Sequence, residues 1–190
     1  MKVPFIDLKR AHDPIKAELL EAFASTIEHG GFCLGKDVAQ FELEFAKAQG
    51  VSRCVGLGSG TEALHLIACT MGIGREDEVI IPAFTFIASA WFAQYVGARP
   101  VFVDIDPESY TLDPNRIEAA ITDKTRAIVV THLFGQSADM DPILEIARSK
   151  RIKVVEDAAQ AHLATYRGRP VGEIGDAGAF SFYPTKNLGG

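Results

Sequence analysis

Ala127-Ile128-Val129-Val130, a helical stretch at 141–150, and Ile152-Lys153-Val154-Val155 closing on Glu156-Asp157 form the passage that decides the fold. Two short β-branched runs joined by a helix-length crossover specify parallel neighbours, since antiparallel strands need only a tight turn. The same alternation extends upstream. Cys54-Val55-Gly56-Leu57 reads as a strand before a helix at 61–72, and Glu78 to Ile81 as a strand before a helix at 85–96. Pro100 to Val103 ends in Asp104 and precedes a helix at 114–121; downstream, Ala177 to Tyr183 reads as a last strand. The repetition predicts an α/β fold with a mainly parallel sheet and helices on both faces. Two helices come first. Residues 14–29 carry Pro14 in the first turn and Ile15, Leu19, Leu20, Phe23 and Ile27 at helical spacing before Gly30-Gly31. Residues 37–49 place Val38, Phe41, Phe45 and Ala48 on one side and stop at Gly50.

Composition narrows the function classes. The 190 residues predict one domain, 47% hydrophobic and 23% charged, large enough for a core without disulfides. Nineteen basic against 25 acidic residues give a net charge of −6. With no basic run, this argues against a nucleic-acid partner. Cys33, Cys54 and Cys69 are odd in number and form no C-x-x-C, which suggests neither a disulfide framework nor a zinc site and fits a reducing cytoplasm. Met1 to Phe5 has no apolar run of the signal-peptide kind. Val79 to Ala98 is 20 residues without a formal charge, but Pro82 interrupts it and its flanks continue the strand–helix alternation, so no membrane span is expected.

In parallel sheets ligands sit beyond the carboxyl ends of the strands, so those ends are where chemistry is expected. Gly56-Leu57-Gly58-Ser59-Gly60-Thr61 opens a helix and suits a phosphate seat. It lacks the glycine at Thr61 that a dinucleotide fingerprint needs and the Gly-Lys-Ser/Thr of a P-loop, and a plain tight turn is the alternative. Pro82-Ala83-Phe84-Thr85-Phe86 offers an aromatic cover for a planar ligand, or core phenylalanines. Glu156-Asp157-Ala158-Ala159-Gln160 puts carboxylates after a buried strand, where they need a cation or donors: a salt bridge, a metal or a protonated ring nitrogen. Gln160 is placed to bind a ring hydroxyl. Phe180-Ser181-Phe182-Tyr183-Pro184-Thr185-Lys186-Asn187 presents a lysine among small and apolar groups, suited to a Schiff base if partly buried, or else a plain surface lysine. An anion seat, an aromatic lid, a carboxylate and a lysine together are the complements of pyridoxal 5′-phosphate (PLP). Glu62, His65, His132 and His162 lie near these positions and read as structural groups; no metal-ligand spacing supports another role.

With these blocks in view, the chain resembles the DegT/DnrJ/StrS-type family of PLP-dependent nucleotide-sugar aminotransferases. The likeness runs from Val3-Pro4-Phe5-Ile6-Asp7-Leu8 through Gly58-Ser59-Gly60-Thr61-Glu62-Ala63-Leu64, Asp77 to Phe86 and Val101-Phe102-Val103-Asp104-Ile105. It continues in His132-Leu133-Phe134-Gly135-Gln136, Glu156 to His162 and Ser181 to Leu188, the last two being the most specific. The resemblance implies a fold-type I PLP-dependent transferase large domain, spanning 1–190 with 1–30 as an N-terminal arm and helix, its C-terminal part missing. It implies Lys186 as Schiff-base lysine and proton shuttle, Asp157 as partner of the pyridinium nitrogen, and Gln160 at the ring 3-hydroxyl. Gly60, Thr61 and Ser181 would hold the phosphate, and Phe86, with Phe84 second, would stack on the ring. The implied reaction moves an amino group from glutamate to a keto-sugar nucleotide, with 136–141 looking more like members acting on 3-keto-6-deoxyhexoses in deoxysugar or polysaccharide biosynthesis. A homodimer is implied for the complete protein.

Two departures stand out. The chain stops at Gly190, four residues past the lysine, whereas family members continue; a truncated, non-catalytic fragment retaining cofactor or dimer contacts is therefore the rival reading. Leu163 follows His162 where the family usually has glycine. A related sugar dehydratase, in which histidine replaces the lysine, is disfavoured by Lys186, and a nucleotide-binding Rossmann protein by Thr61.

Overall fold

A computed structural model describes residues 3–189; Met1, Lys2 and Gly190 of the sequence reading lie outside them. The chain divides into two compact units with the boundary between Gly56 and Leu57.

The first unit holds α1 (Leu8–His12), a 3-10 turn (Asp13–Ile15), α2 (Lys16–His29) and α3 (Lys36–Ala48). The segment expected to be helical from 14 thus begins as a tighter turn around Pro14 and ends at Gly30, whose φ of +67° suits a residue without a Cβ. The periodic face Ile15, Leu19, Leu20, Phe23 and Ile27 is exposed. In α3 the rings of Phe41 and Phe45 stack at 5.6 Å, and Phe45 is buried. The strand expected at 54–57 does not form. The Gly56 N–H donates to the Glu42 carboxylate at 2.7 Å instead of to a ladder, and Val55 is 70% exposed.

The second unit is the sheet. Its strands are β1 (Glu78–Pro82), β2 (Arg99–Val103), β3 (Thr125–Thr131), β4 (Lys153–Asp157) and, after a hairpin, β7 (Ala177–Ala179), in spatial order β2-β1-β3-β4-β7. Every pairing is parallel, and β3 meets β4 with Thr131 beside Asp157. Side chains alternate between faces. Ile80, Ile128, Val130 and Val154 pack with Ile117 of α6 (Pro114–Ala120) and Met140, Ile143 and Ala147 of α7 (Met140–Lys150). Val79, Ile81, Val129 and Val155 pack on the other side with Leu64 and Ala68 of α4 (Gly60–Thr70) and Phe92 of α5 (Ala88–Gln94). Burial on both faces explains why the central strands read as unbroken apolar runs.

Three boundaries differ from expectation. The helix foreseen at 85–96 is confined to Ala88–Gln94, because residues 83–87 form the strand-end loop, tied by Ala83 N–H to Val103 C=O at 2.8 Å. The strand foreseen at 177–183 ends at Ala179, opposite the last residue of β4, its one partner among the described residues. Between β4 and β7 lies an unforeseen hairpin, β5 (Thr165–Tyr166) and β6 (Arg169–Pro170), turning through Arg167 and Gly168, both at positive φ. Among the described residues no helix is long and apolar enough to cross a membrane.

Candidate functional site

The carboxyl ends of β1, β3 and β4 gather the groups singled out above. Asp157 is the last residue of β4 and 4% exposed. Its Oδ2 accepts a 2.7 Å hydrogen bond from Ser89 Oγ, and its Oδ1 accepts the Ala159 N–H at 3.2 Å. Burial pushes its carboxyl above the usual carboxylate range, against the bonds from Ser89 and Ala159 and the fields of Lys186 and His132. A buried carboxylate with this preference is a seat for a further cation.

The field of Lys186 reaches both Asp157 and His162. Lys186 is half-buried in a turn, its N–H bonded to Tyr183 C=O at 2.7 Å, rather than a fully exposed surface lysine. With Gln160, Phe134, Thr185 and Asn187 it lines a cleft of about 330 Å³. Gln160 Oε1 accepts the Phe134 N–H at 2.8 Å. That bond fixes the amide orientation and leaves the Nε2 donors for a ligand oxygen. Phe134 reaches it from a backbone at φ 54°, a strained value for a residue with a Cβ.

The phosphate-seat residues also converge. Ser59 caps α4, its Oγ accepting the Glu62 N–H at 3.1 Å, while Glu62 accepts the Gly58 N–H at 2.8 Å. A Cβ on Gly60 would lie 2.9 Å from Ser181 Cβ and 3.0 Å from Phe180 O. Glycine at 60 is therefore what lets the α4 terminus, with Thr61 next in its first turn, approach Ser181. Phe86 and Phe84 are 59% and 49% exposed, so neither is a core residue. The Phe86 ring meets Trp91 edge-on at 6.4 Å, and Phe84 lies 6.2 Å from Tyr110.

Glu156, one residue before Asp157, points to the opposite face and has no access to this cleft. It is fully buried and accepts four hydrogen bonds: from His132 Nε2 at 2.8 Å and from the N–H groups of Gly172, Ile174 and Gly175 at 2.6–2.7 Å. His132 Nδ1 accepts the Ala138 N–H at 3.2 Å, so its proton sits on Nε2 and is donated to Glu156. Burial alone would raise the Glu156 carboxyl, but these bonds outweigh it and hold the group below the usual range. The structural reading of His132 agrees with this arrangement. Two features escaped the sequence reading. Ser89, Thr85 and Thr131 around Asp157 are isolated hydroxyl residues with no motif, and strand alternation, which separates Glu156 from Asp157, was the available signal for the second. Leu163 has φ 60°, the left-handed region that favours glycine and the physical meaning of the departure at that position.

These observations fit PLP: a buried carboxylate that accepts two hydrogen bonds, an oriented amide beside a lysine, and an anion cradle that a Cβ at Gly60 would obstruct. The chain belongs to the DegT/DnrJ/EryC1/StrS aminotransferase family, whose model matches residues 13–190. It is 46% identical over 188 residues to a dTDP-3-amino-3,4,6-trideoxy-alpha-D-glucose transaminase of Streptomyces venezuelae, covering 99% of this chain and 50% of that one. It is 45% identical over 187 residues to a UDP-N-acetyl-3-dehydro-alpha-D-glucosamine 3-aminotransferase of Acidithiobacillus ferrooxidans, covering 98% and 51%. Among solved structures, S. venezuelae DesV in complex with a ketimine intermediate superposes with a TM-score of 0.95 at 46% identity, over 99% of this chain and 51% of that one. The chain spans about half the length of the relatives it matches.

Proposed function

We propose that residues 1–190 are the PLP-binding large-domain portion of an aminotransferase, with 1–30 as its N-terminal arm, moving an amino group from glutamate to a nucleotide-linked 3-keto sugar. The observation that carries this reading is a cleft lined by Lys186 and Gln160, Gln160 standing three residues past Asp157, which lies at the carboxyl end of β4 within reach of the lysine's field. When bound, PLP supplies an aldehyde for amines and an electron-withdrawing ring. The chain's own residues do the rest. Lys186 Nζ would anchor the cofactor through its aldehyde, and its amine would serve as the acid–base group that carries a proton at the reacting carbons. The Asp157 carboxylate would hold a proton on the ring nitrogen. Gln160 Nε2 would donate to the ring oxygen, Gly60, Thr61 and Ser181 would hold the phosphate, and Phe86 would cover the ring. Support for the substrate class comes from the two sugar transaminase relatives, which differ in nucleotide and share a position-3 amino group in their names. A homodimer, a cytoplasmic location and a place in deoxysugar or polysaccharide biosynthesis belong to the same proposal.

The test uses the full-length protein. Incubation with PLP and borohydride should fix the cofactor covalently on Lys186, and Lys186→Ala should abolish both fixation and turnover; a cofactor still fixed in that variant would overturn the assignment. Amination assays with dTDP- and UDP-linked 3-keto sugars and glutamate then check the substrate class, and activity confined to 4-keto sugars would reject the position-3 reading.

A further inference from the structure

Beside Asp157, three hydroxyls close a triangle. Thr85 Oγ1 lies 3.0 Å from Ser89 Oγ and 3.0 Å from Thr131 Oγ1, and Ser89 Oγ lies 3.3 Å from Thr131 Oγ1. Ser89 and Thr131 are buried and Thr85 is half-buried. The three come from the loop after β1, the first turn of α5 and the end of β3, so nothing local in the sequence links them.

Counting protons gives the triangle a direction. Each hydroxyl has one proton to donate, and there are four contacts to serve: three edges and the 2.7 Å bond to Asp157 Oδ2. An ionised carboxylate can only accept, so Ser89 spends its proton there. Ser89 must then accept from a neighbour. Serving the shorter contacts leaves the 3.3 Å edge without a proton and yields one order: Thr131 donates to Thr85, Thr85 to Ser89, and Ser89 to Asp157. Such a chain polarises along its length, and every dipole points its positive end at the carboxylate. Protonating Asp157 on Oδ2 would force the chain to reverse.

We propose that Thr131, Thr85 and Ser89 are positioning residues that hold Asp157 as an anion and thereby keep the proton on the cofactor's ring nitrogen. This rests on the reading of Asp157 as the ring-nitrogen partner. Burial works against the anion, and the ionisable groups whose fields reach Asp157 are Lys186 and His132; Glu156 lies on the far face. Among the described residues, the hydroxyl chain therefore supplies, through Ser89, the donor that joins the Ala159 N–H at this carboxylate.

The experiment is nitrogen-15 NMR of ring-labelled PLP bound to the full-length protein, with PLP affinity measured alongside. In the parent protein the ring nitrogen should resonate as protonated. Ser89→Ala should move it towards the unprotonated position and weaken PLP binding about tenfold to a hundredfold, the loss of one hydrogen bond to a charged group. Thr85→Val and Thr131→Val, which keep side-chain shape, should shift the resonance in the same direction by successively smaller amounts, and Ser89→Thr should restore it. The graded order in the ring-nitrogen resonance is a signature that a merely structural role would not produce. If Ser89→Ala fails to fold, the two valine variants carry the test. Unchanged resonances in variants that bind PLP would overturn this inference alone. Failure of the parent protein to bind PLP, or Asp157→Asn leaving the ring nitrogen protonated, would overturn the underlying assignment of Asp157.

Discussion

Glu156 and Asp157 are adjacent carboxylates at the end of one strand, both buried, yet the two sides of the sheet treat them oppositely. Glu156 meets four donors and is held below the usual carboxylate range. Asp157 meets two and is pushed above it by burial. One face finishes its carboxylate within the fold, and the other leaves its carboxylate short of positive charge. The difference separates a structural buried acid from a ligand-binding one: what distinguishes them is the balance of donors, since burial and strand position are nearly the same.

The largest effect should come from breaking the satisfied side. Glu156→Gln keeps the shape but turns one end of the side chain into a donor facing donors. Urea unfolding should report a loss of about 3–5 kcal/mol, the range for uncoupling a buried charged network; a loss below about 1 kcal/mol would deny the nest its structural role. On the other face, Asp157→Asn should leave the ligand-free protein as stable as the parent or more so at neutral pH, because it removes a buried charge. In the full-length protein it should cut turnover by on the order of a hundredfold, about 2.7 kcal/mol of transition-state stabilisation. Near-parental turnover would reject the ring-nitrogen role.

The pH dependence of stability should carry opposite signs for the two residues. The lowered carboxyl of Glu156 contributes stability that is present above its unfolded value, about 4.3, and is lost as pH falls through the lower folded value. The raised carboxyl of Asp157 contributes stability that is full below its unfolded value, about 3.9, and is lost as pH rises through the higher folded value. Subtracting the stability curves of Glu156→Gln and Asp157→Asn from the parent's, without PLP, should give slopes of opposite sign; slopes of the same sign would erase the contrast. The smallest effect belongs to Leu163, in the loop that leads from the Asp157 side to the hairpin. Leu163→Gly relieves a left-handed backbone but frees the unfolded chain, so thermal unfolding should show a gain of no more than about 1 kcal/mol.

Much of this was open to reading in one dimension. The buried β-branched runs at 78–81, 127–130 and 152–155 are strands of the sheet, and Phe134 and Gln160, past the second and third of them, line the cleft, because a parallel sheet leaves its carboxyl ends free for ligands. Asp157, Gln160 and Lys186 stand within 30 residues and could be named from local context. The strand proposed at 54–57 could not be judged locally: its β-like composition has no neighbour to pair with, and Glu42 takes the Gly56 N–H. The hairpin at 165–170 was missed because its strands are two residues each and carry no alternation.

The order of apolar runs and glycines in the chain determined by itself that a parallel α/β sheet forms, and which strand ends bear a carboxylate, an amide and a lysine. Only the folded molecule decided which of two neighbouring acids meets four donors and which meets two. Ser89 and Asp157 are 68 residues apart, and His132 and Glu156 are 24 apart. Hydrogen bonds act over about three ångströms, and no spacing along a chain states which distant donors will arrive within that reach.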